Sequence, residues 1–352
     1  MKPEAVLVTR GAPLAGALAA TDDSALPGYA LLRQDKLRTE LISGLLRQWL
    51  HPQAELLESN AVLRRHVPGK RCNFQIDLTI LPAPGAPVER RRVVAKVHAQ
   101  DQGAQVFEAL HEFRNHGFDG SRFLVPQPLA YDPRWKVLLL GWSEGELLHS
   151  LVLGGSDASH RMEEAANWLL KFHHCGVTTG RRHTFRRHLE TLASQKQRLL
   201  NVHPKLEGRL DGILHRIEER GEALSGWTAG PTHYDFSPDH LLFDEGQVTV
   251  IDFDEFRQYD PLFDVAHFMA HLRLLGLRYL GGVARFDELG EAFQRAYRVG
   301  AQDYSETRIR FYQAVAYFKM AHIVGVVVRP PAWKEAIEVF LYETEKVLGR
   351  HS

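Results

Sequence analysis

The chain has 352 residues, 44% hydrophobic and 24% charged, which are ordinary values for a folded protein and exclude a disordered or fibrous chain. Lys and Arg together number 43, as do Asp and Glu, so the net charge is zero and no global field argues for nucleic acid or an anionic membrane as partner. The two cysteines, Cys72 and Cys175, are too few for a disulfide framework or a thiolate metal cage and fit a reducing, cytoplasmic setting.

In chain order, the first thirty residues carry an Ala/Leu run broken by Arg10-Gly11, so they read as mature chain and not as a signal peptide. No later segment approaches the roughly 18 unbroken apolar residues of a membrane span. Between Asp35 and Leu50, Leu37, Leu41, Leu45, Leu46 and Leu50 recur at helical intervals. The period then changes. "NAVLRRHVPGKRCNFQIDLTIL" predicts two strands about a Pro68-Gly69 turn, with Phe74, Ile76, Leu78 and Ile80 alternating. A third strand, "RRVVAKVHA", carries Lys96 near its end. "GAQVFEALHEFRNHGF" predicts a helix with Val106, Phe107, Leu110 and Phe113 on one face, and "FLVPQPLAYDPRWKVLLLGWSEG" a strand pair. After Gly145 most of the chain reads as helix, beginning with "ASHRMEEAANWLLKFHHCGV".

The exception is "GPTHYDFSPDHLLFDEGQVTVIDFDEF", Gly230 to Phe256. A loop bearing His233 and Asp235 leads into a hairpin-like pair joined at Glu245-Gly246, so Asp235 and Asp252 fall at neighbouring ends of adjacent strands. Paired acids of this kind can serve as a base for a hydroxyl nucleophile and as a ligand for Mg²⁺, which favours hard oxygen donors. Lys96 supplies a candidate phosphate cation, and Pro68-Gly69-Lys70 a candidate phosphate-covering turn.

"HYDFSPDHLLF" resembles the H-G-D-x-x-P-x-N-x-L loop of the aminoglycoside phosphotransferase and choline kinase family, and "VIDFDEFRQYDPLFDVAHF" is similar to the run that follows it there. "VVAKV", "VPQPLAY", "VLLLGWSEG" and "WLLKFHHCG" also occur in that family's order, so the resemblance covers roughly residues 55 to 350. It implies a two-lobed, protein-kinase-like α+β fold. Residues 1–54 would form a helical extension on the small lobe, 55–145 a small antiparallel-sheet lobe with one helix, and 146–352 a large, mostly helical lobe. The implied reaction moves the γ-phosphoryl group of ATP to a hydroxyl of a small molecule. Asp235 would be the base, His233 a buttress of its loop, and Asp252 the metal ligand. Lys96 would hold phosphates with Glu108, or Glu112 one turn on, as its ion-pair partner. Gly69 and Lys70 would cover phosphates, the backbone from Leu139 to Glu144 would meet the adenine, and Asp264 would brace the metal loop.

Three positions depart from the family pattern. His240 stands where a second metal ligand, Asn, is expected; imidazole suits Mn²⁺ or Zn²⁺ better than Mg²⁺, so the readings are a kinase with one main metal on Asp252, a kinase with changed metal preference, or a pseudokinase that binds nucleotide without turnover. Tyr234 replaces a glycine, and the phosphate loop has only Gly69. Elsewhere, His267 and His271 have helical metal-pair spacing without the glutamate of a zinc hydrolase and read as structural. Arg181 to Arg187 reads as a solvated basic loop, and Glu108 and Glu112 are equally consistent with a solvent face. Asp254, Glu255 and Asp260 could attract a cationic acceptor such as an aminoglycoside or amino alcohol, and a sugar or another metabolite is equally open. Oligomeric state is left open.

Overall fold

The computed structural model describes residues 23–120, 122–155, 158–224 and 226–349; the Ala/Leu run at the start of the chain lies outside them. Two units result. One comprises Met1–Glu146 with Leu242–Asp254, the other Leu147–Leu241 with Glu255–Ser352. In the first, α1 (Pro27–Arg33) and α2 (Asp35–Trp49) precede β1 (Glu55–Val67), β2 (Arg71–Leu81) and β3 (Glu89–His98). Then come α3 (Gln102–Asn115), β4 (Phe123–Leu124), β5 (Pro128–Asp132) and β6 (Val137–Gly141). The chain passes along β7 (Glu146–Leu147) into the second unit, through α4 (Leu148–Leu153), α5 (Ala158–His173), α6 (Phe185–Val202), α7 (Glu207–Glu222) and β8 (Gly230–Thr232). It returns along β9 (Leu241–Asp244) and β10 (Gln247–Val250), then finishes with β11 (Arg257–Tyr259), α8 (Leu262–Leu280), α9 (Asp287–Gly300), α10 (Glu306–His322) and α11 (Trp333–Val347).

The first unit is built on a five-stranded sheet in the order β1-β2-β3-β6-β5, antiparallel at every pairing. Its period-2 pattern decides which face is buried. Phe74, Ile76, Leu78 and Ile80 of β2 and Val93, Ala95 and Val97 of β3 join Leu32, Ile42, Leu45 and Leu46 of α1 and α2 in one core. Each such side chain contributes roughly 1.5–3 kcal/mol on full burial. Lys96, between Ala95 and Val97 in sequence, therefore belongs to the opposite face. The β1–β2 connection is short, with Val67 paired to Arg71 and Gly69 at φ 69°, a left-handed position that glycine takes without a Cβ penalty.

The second unit is helical around α8 and α10, which pack on one another. Phe263, Val265, Ala266, Phe268, Leu272 and Leu275 of α8 are all buried, the pattern of a helix enclosed on most sides. The sequence carries no expectation of a membrane span, yet Glu306–Val328, which is α10 with the π-helical turns Ile323–Val328, is long and apolar enough for one. The most apolar window of that stretch is 72% buried inside the protein, as in the core helix of a folded unit.

Candidate active site

In the first unit the chemistry collects around Lys96. β10 ends at Val250, and Asp252 takes a left-handed φ of 66° that turns the chain out of the strand. Phe253 is 2% exposed and packs on Phe113 of α3, ring centroids 5.4 Å apart, which pins the turn from its apolar side. The acids flanking it both reach the lysine: Lys96 Nζ donates to Asp252 Oδ1 at 2.7 Å and to Asp254 Oδ1 at 2.8 Å. Asp254 is the more enclosed, its side chain 1% exposed against 16% for Asp252. It also accepts from Arg71 Nη1 at 2.7 Å and lies 3.4 Å from His98 Nε2, while Gln102 of α3 donates to its backbone carbonyl. Burial works against both charges. The carboxylates of Asp252 and Asp254 outweigh it and hold Lys96 above its ordinary pKa; Lys96, His98 and Arg71 outweigh it for Asp254, whose carboxyl is held well below the usual range.

In the second unit the loop after β8 presents Asp235. Asp264, in the first turn of α8 and fully buried, accepts the backbone N–H of His233 at 2.7 Å and of Tyr234 at 2.8 Å, and His173 Nε2 lies 3.2 Å from the same carboxylate. Tyr234 holds φ 66°, a costly conformation for a residue with a Cβ. Its ring stacks on Phe263 at 4.6 Å, lies 3.7 Å from the Arg257 guanidinium, and its hydroxyl is 3.1 Å from His183 Nε2. Those contacts offset the backbone cost. Asp235 then sits among cationic and imidazole groups. Lys319 Nζ of α10 is 3.3 Å from Oδ1, His267 Nε2 is 3.7 Å from Oδ1, and His240 Nδ1 is 3.8 Å from Oδ2. His240 Nδ1 donates to the Asp235 carbonyl at 2.8 Å, which orients Nε2 as the ring's ligating atom.

The expected residues fall on both sides of this description. Lys96 meets Asp252 and Asp254 and not a glutamate of α3. That helix buries Val106, Ala109, Leu110 and Phe113, so Glu108 is on the exposed side and Phe107 is only half-buried. Gly69 forms the expected turn, but its N–H donates to Asp23 Oδ2 at 2.8 Å, an acid also bonded to His66, so that donor is engaged within the protein. Lys70 is exposed. Glu144 is exposed on a polar groove with Glu58, Asp77 and Arg90 to Arg92. The next residue, Gly145, takes φ 121° and leaves 2.8 Å to the Phe243 carbonyl for any added Cβ. Asp264 braces the loop of Asp235, not that of Asp252, because its carboxylate lies under the amides of His233 and Tyr234. Asp254 and Asp260, expected to offer charge to a cation, are buried ion-pair partners, Asp260 with Arg308 at 3.1 Å.

His233 is completely buried, Arg181, Arg182, Arg186 and Arg187 are exposed, and His267 donates from Nδ1 to the Phe236 carbonyl at 3.0 Å. Ligand atoms of Asp235, His267 and His271 lie within 4.8 Å of one another, a grouping able to hold a cation, and Lys319 Nζ lies 2.8 Å from His267 Nε2. Lys319, Arg71, His98 and Gln102 carry no motif. Lys319 lies 84 residues beyond Asp235 on another helix, which no local pattern links to it. For a divalent metal, the carboxylate of Asp252 is a hard donor suited to Mg²⁺, whereas the imidazole of His240 is a softer donor suited to Mn²⁺ or Zn²⁺.

The chain is similar to known proteins in sequence and in fold. Residues 87–310 match the model of the phosphotransferase enzyme family, well over half of the chain. The solved aminoglycoside phosphotransferase APH(4)-Ia is similar at 14% identity with a TM-score of 0.58, covering 88% of this chain and 98% of that one. APH(2")-IIia, solved with GDP and kanamycin, matches at 13% identity and 0.55 over 87% of this chain and 99% of that one. A choline/ethanolamine kinase family protein from Mesorhizobium loti matches at 12% and 0.51 over 78% and 85%. No curated protein matches the sequence. At these identities the structural likeness is one of fold, the protein-kinase-like arrangement of an antiparallel sheet unit and a helical unit. With the match along the sequence, it places this chain in the phosphotransferase enzyme family.

Proposed function

We propose that the chain is a small-molecule kinase that transfers the γ-phosphoryl group of ATP to a hydroxyl acceptor. The observation that carries the reading is the buried Lys96 held by Asp252 and Asp254, a cation fixed on the sheet face opposite the core. In this assignment Lys96 receives phosphate oxygens, and Asp252 would hold a divalent metal, which would supply positive charge for phosphoryl transfer. Asp254 positions Lys96 from within the metal loop, the task expected of Glu108. Asp235 accepts the acceptor's hydroxyl proton, and His233 and Asp264 keep its loop in place without touching substrate. In the second unit, His240 would offer Nε2 to a divalent metal. The backbone from Leu139 to Glu144 is assigned to the adenine and Lys70 to the phosphates, with Gly69 shaping the turn that carries it while its own N–H is held by Asp23.

The test is calorimetric titration of the purified protein with ATP in Mg²⁺, in Mn²⁺ and without metal, alongside Asp235→Asn. Both proteins should bind ATP in a metal-dependent way, while the variant loses on the order of 10²–10⁴ in turnover. Absence of ATP binding under every condition would refute the kinase assignment. ATP binding without turnover on any hydroxyl compound would instead favour a nucleotide-binding pseudokinase, the reading to which the imidazole of His240 lends weight.

A further inference from the structure

The turn between β1 and β2 is filled by an acid from earlier in the first unit. Pro68 has no N–H, and the N–H of Lys70 closes the turn on the Val67 carbonyl at 3.0 Å. Among the three turn residues, Gly69 is left with the amide that the hairpin does not use. That N–H donates to Asp23 Oδ2 at 2.8 Å, across 46 residues of chain, and His66 Nε2 lies 2.9 Å from the same oxygen. A backbone amide and an imidazole are donors that hold a phosphate oxygen equally well. The acid is ionised: the Gly69 amide first, and then His66, hold its carboxyl below the ordinary value.

The place of this turn gives the contact its meaning. Arg71, next after Lys70, pairs with His98 of β3 and donates from Nη1 to Asp254 at 2.7 Å, while Lys96 pairs with Asn73 of β2. The turn therefore stands at the end of the sheet where Lys96 is held. A Cβ added at Gly69 would meet no atom within 4 Å, so the backbone there is open to close approach. Holding the N-terminal helices does not explain the acid. Leu26, Tyr29 and Leu32 are buried in the core of the first unit, and the Tyr29 ring stacks on His66 with centroids 4.4 Å apart, so α1 is fastened without Asp23. Asp23 precedes α1, and its side chain can swing off Gly69 while that helix stays packed.

We infer that Asp23 is an autoinhibitory residue, an internal stand-in for a nucleotide phosphate whose carboxylate fills the β1–β2 turn until ATP displaces it. This rests on the assignment of that turn to the phosphates. A phosphate arriving there meets a like charge and an engaged donor, and both effects weaken its binding. Removing the carboxylate relieves both. A nucleoside without phosphates has no business with the turn and gains nothing.

The test is calorimetric titration of the full chain, wild type and the variants Asp23→Ala and Asp23→Asn, with ATP in Mg²⁺ or Mn²⁺, with inorganic tripolyphosphate and with adenosine. ATP and tripolyphosphate should bind Asp23→Ala about tenfold or more tightly than wild type, while adenosine stays within about twofold. Asp23→Asn should show a smaller gain in the same direction, because its amide oxygen still accepts from Gly69 without the charge; it decides the question if the alanine variant does not fold. A merely structural Asp23 would lower Tm and leave the ratio of adenosine to ATP affinity unchanged. An unchanged ratio, weaker ATP binding in both variants, or an equal gain for adenosine would overturn the inference and leave the kinase assignment standing. Absence of ATP binding in all three proteins would remove both.

Discussion

Replacing Asp254 with Asn removes one negative charge and changes almost no volume. The carboxylate is engaged by Lys96 at 2.8 Å and Arg71 at 2.7 Å, with a side chain only 1% exposed. Breaking a buried pair from one side costs about 3–5 kcal/mol, because the remaining charge stays enclosed. Two features place this case near the lower end. Lys96 keeps Asp252 at 2.7 Å, and Arg71, 25% exposed, can turn to water. A loss of about 3 kcal/mol corresponds to a fall of roughly 6–12 °C in Tm for a unit of 150–250 residues. Differential scanning calorimetry gives the stability, and ATP titration gives the second readout. Lys96 should lean on Asp252 alone and ATP should bind at least tenfold more weakly. Glu108→Gln is the control: on the exposed side of α3, it should stay within about 0.5 kcal/mol of wild type. Asp254→Asn with wild-type Tm and ATP affinity, or Glu108→Gln with an equal loss, would refute the reasoning.

Two further outcomes are expected. His240→Asn exchanges a nitrogen donor for an oxygen donor, so the Mg²⁺/Mn²⁺ activity ratio should rise by about tenfold or more; an unchanged ratio would show that His240 does not ligate the metal. Acidification should destabilise the second unit before its carboxylates titrate. Burial, reinforced by Arg257, Arg187 and Arg181, lowers His183 to about 4, and burial with His183, Lys319 and Arg257 lowers His188 well below its ordinary value. The unfolded chain therefore takes up these protons first, below about pH 6.5. Stability is lost as pH falls from there, by about 2 kcal/mol at pH 5 through His183, with His188 acting in the same direction. A urea midpoint that stays flat between pH 7.5 and 5 would contradict this.

Much of the first unit was legible because its signals are local. Phe74, Ile76, Leu78 and Ile80 alternate in the sequence and are buried in the sheet, and Pro68-Gly69 marks the turn between their strand and the one before. The helix of Val106 and Phe113 was legible too, although Ala109 and not Phe107 completes its buried face. The partner of Lys96 was not legible. An α3 glutamate and an aspartate 158 residues away are equally compatible with one lysine until the rotation of α3 is known, and that depends on packing. Lys319 was hidden for the same reason, since helical periodicity says which face a lysine is on and not what another helix brings beside it. Buried acids such as Asp260 read from sequence as available charge; their engagement depends on a distant arginine, Arg308.

The return of β9 and β10 to the first unit has a consequence for how that unit is made. Lys96 emerges 156 residues ahead of Asp252, so at about 5–20 residues per second the ribosome takes about eight to thirty seconds to supply its first counter-charge. Through that interval the sheet can already form from contiguous chain while its internal cation stays hydrated. The electrostatic closure of the first unit is thus a late event in synthesis, timed by the part of the second unit, Leu147–Leu241, threaded between its two segments.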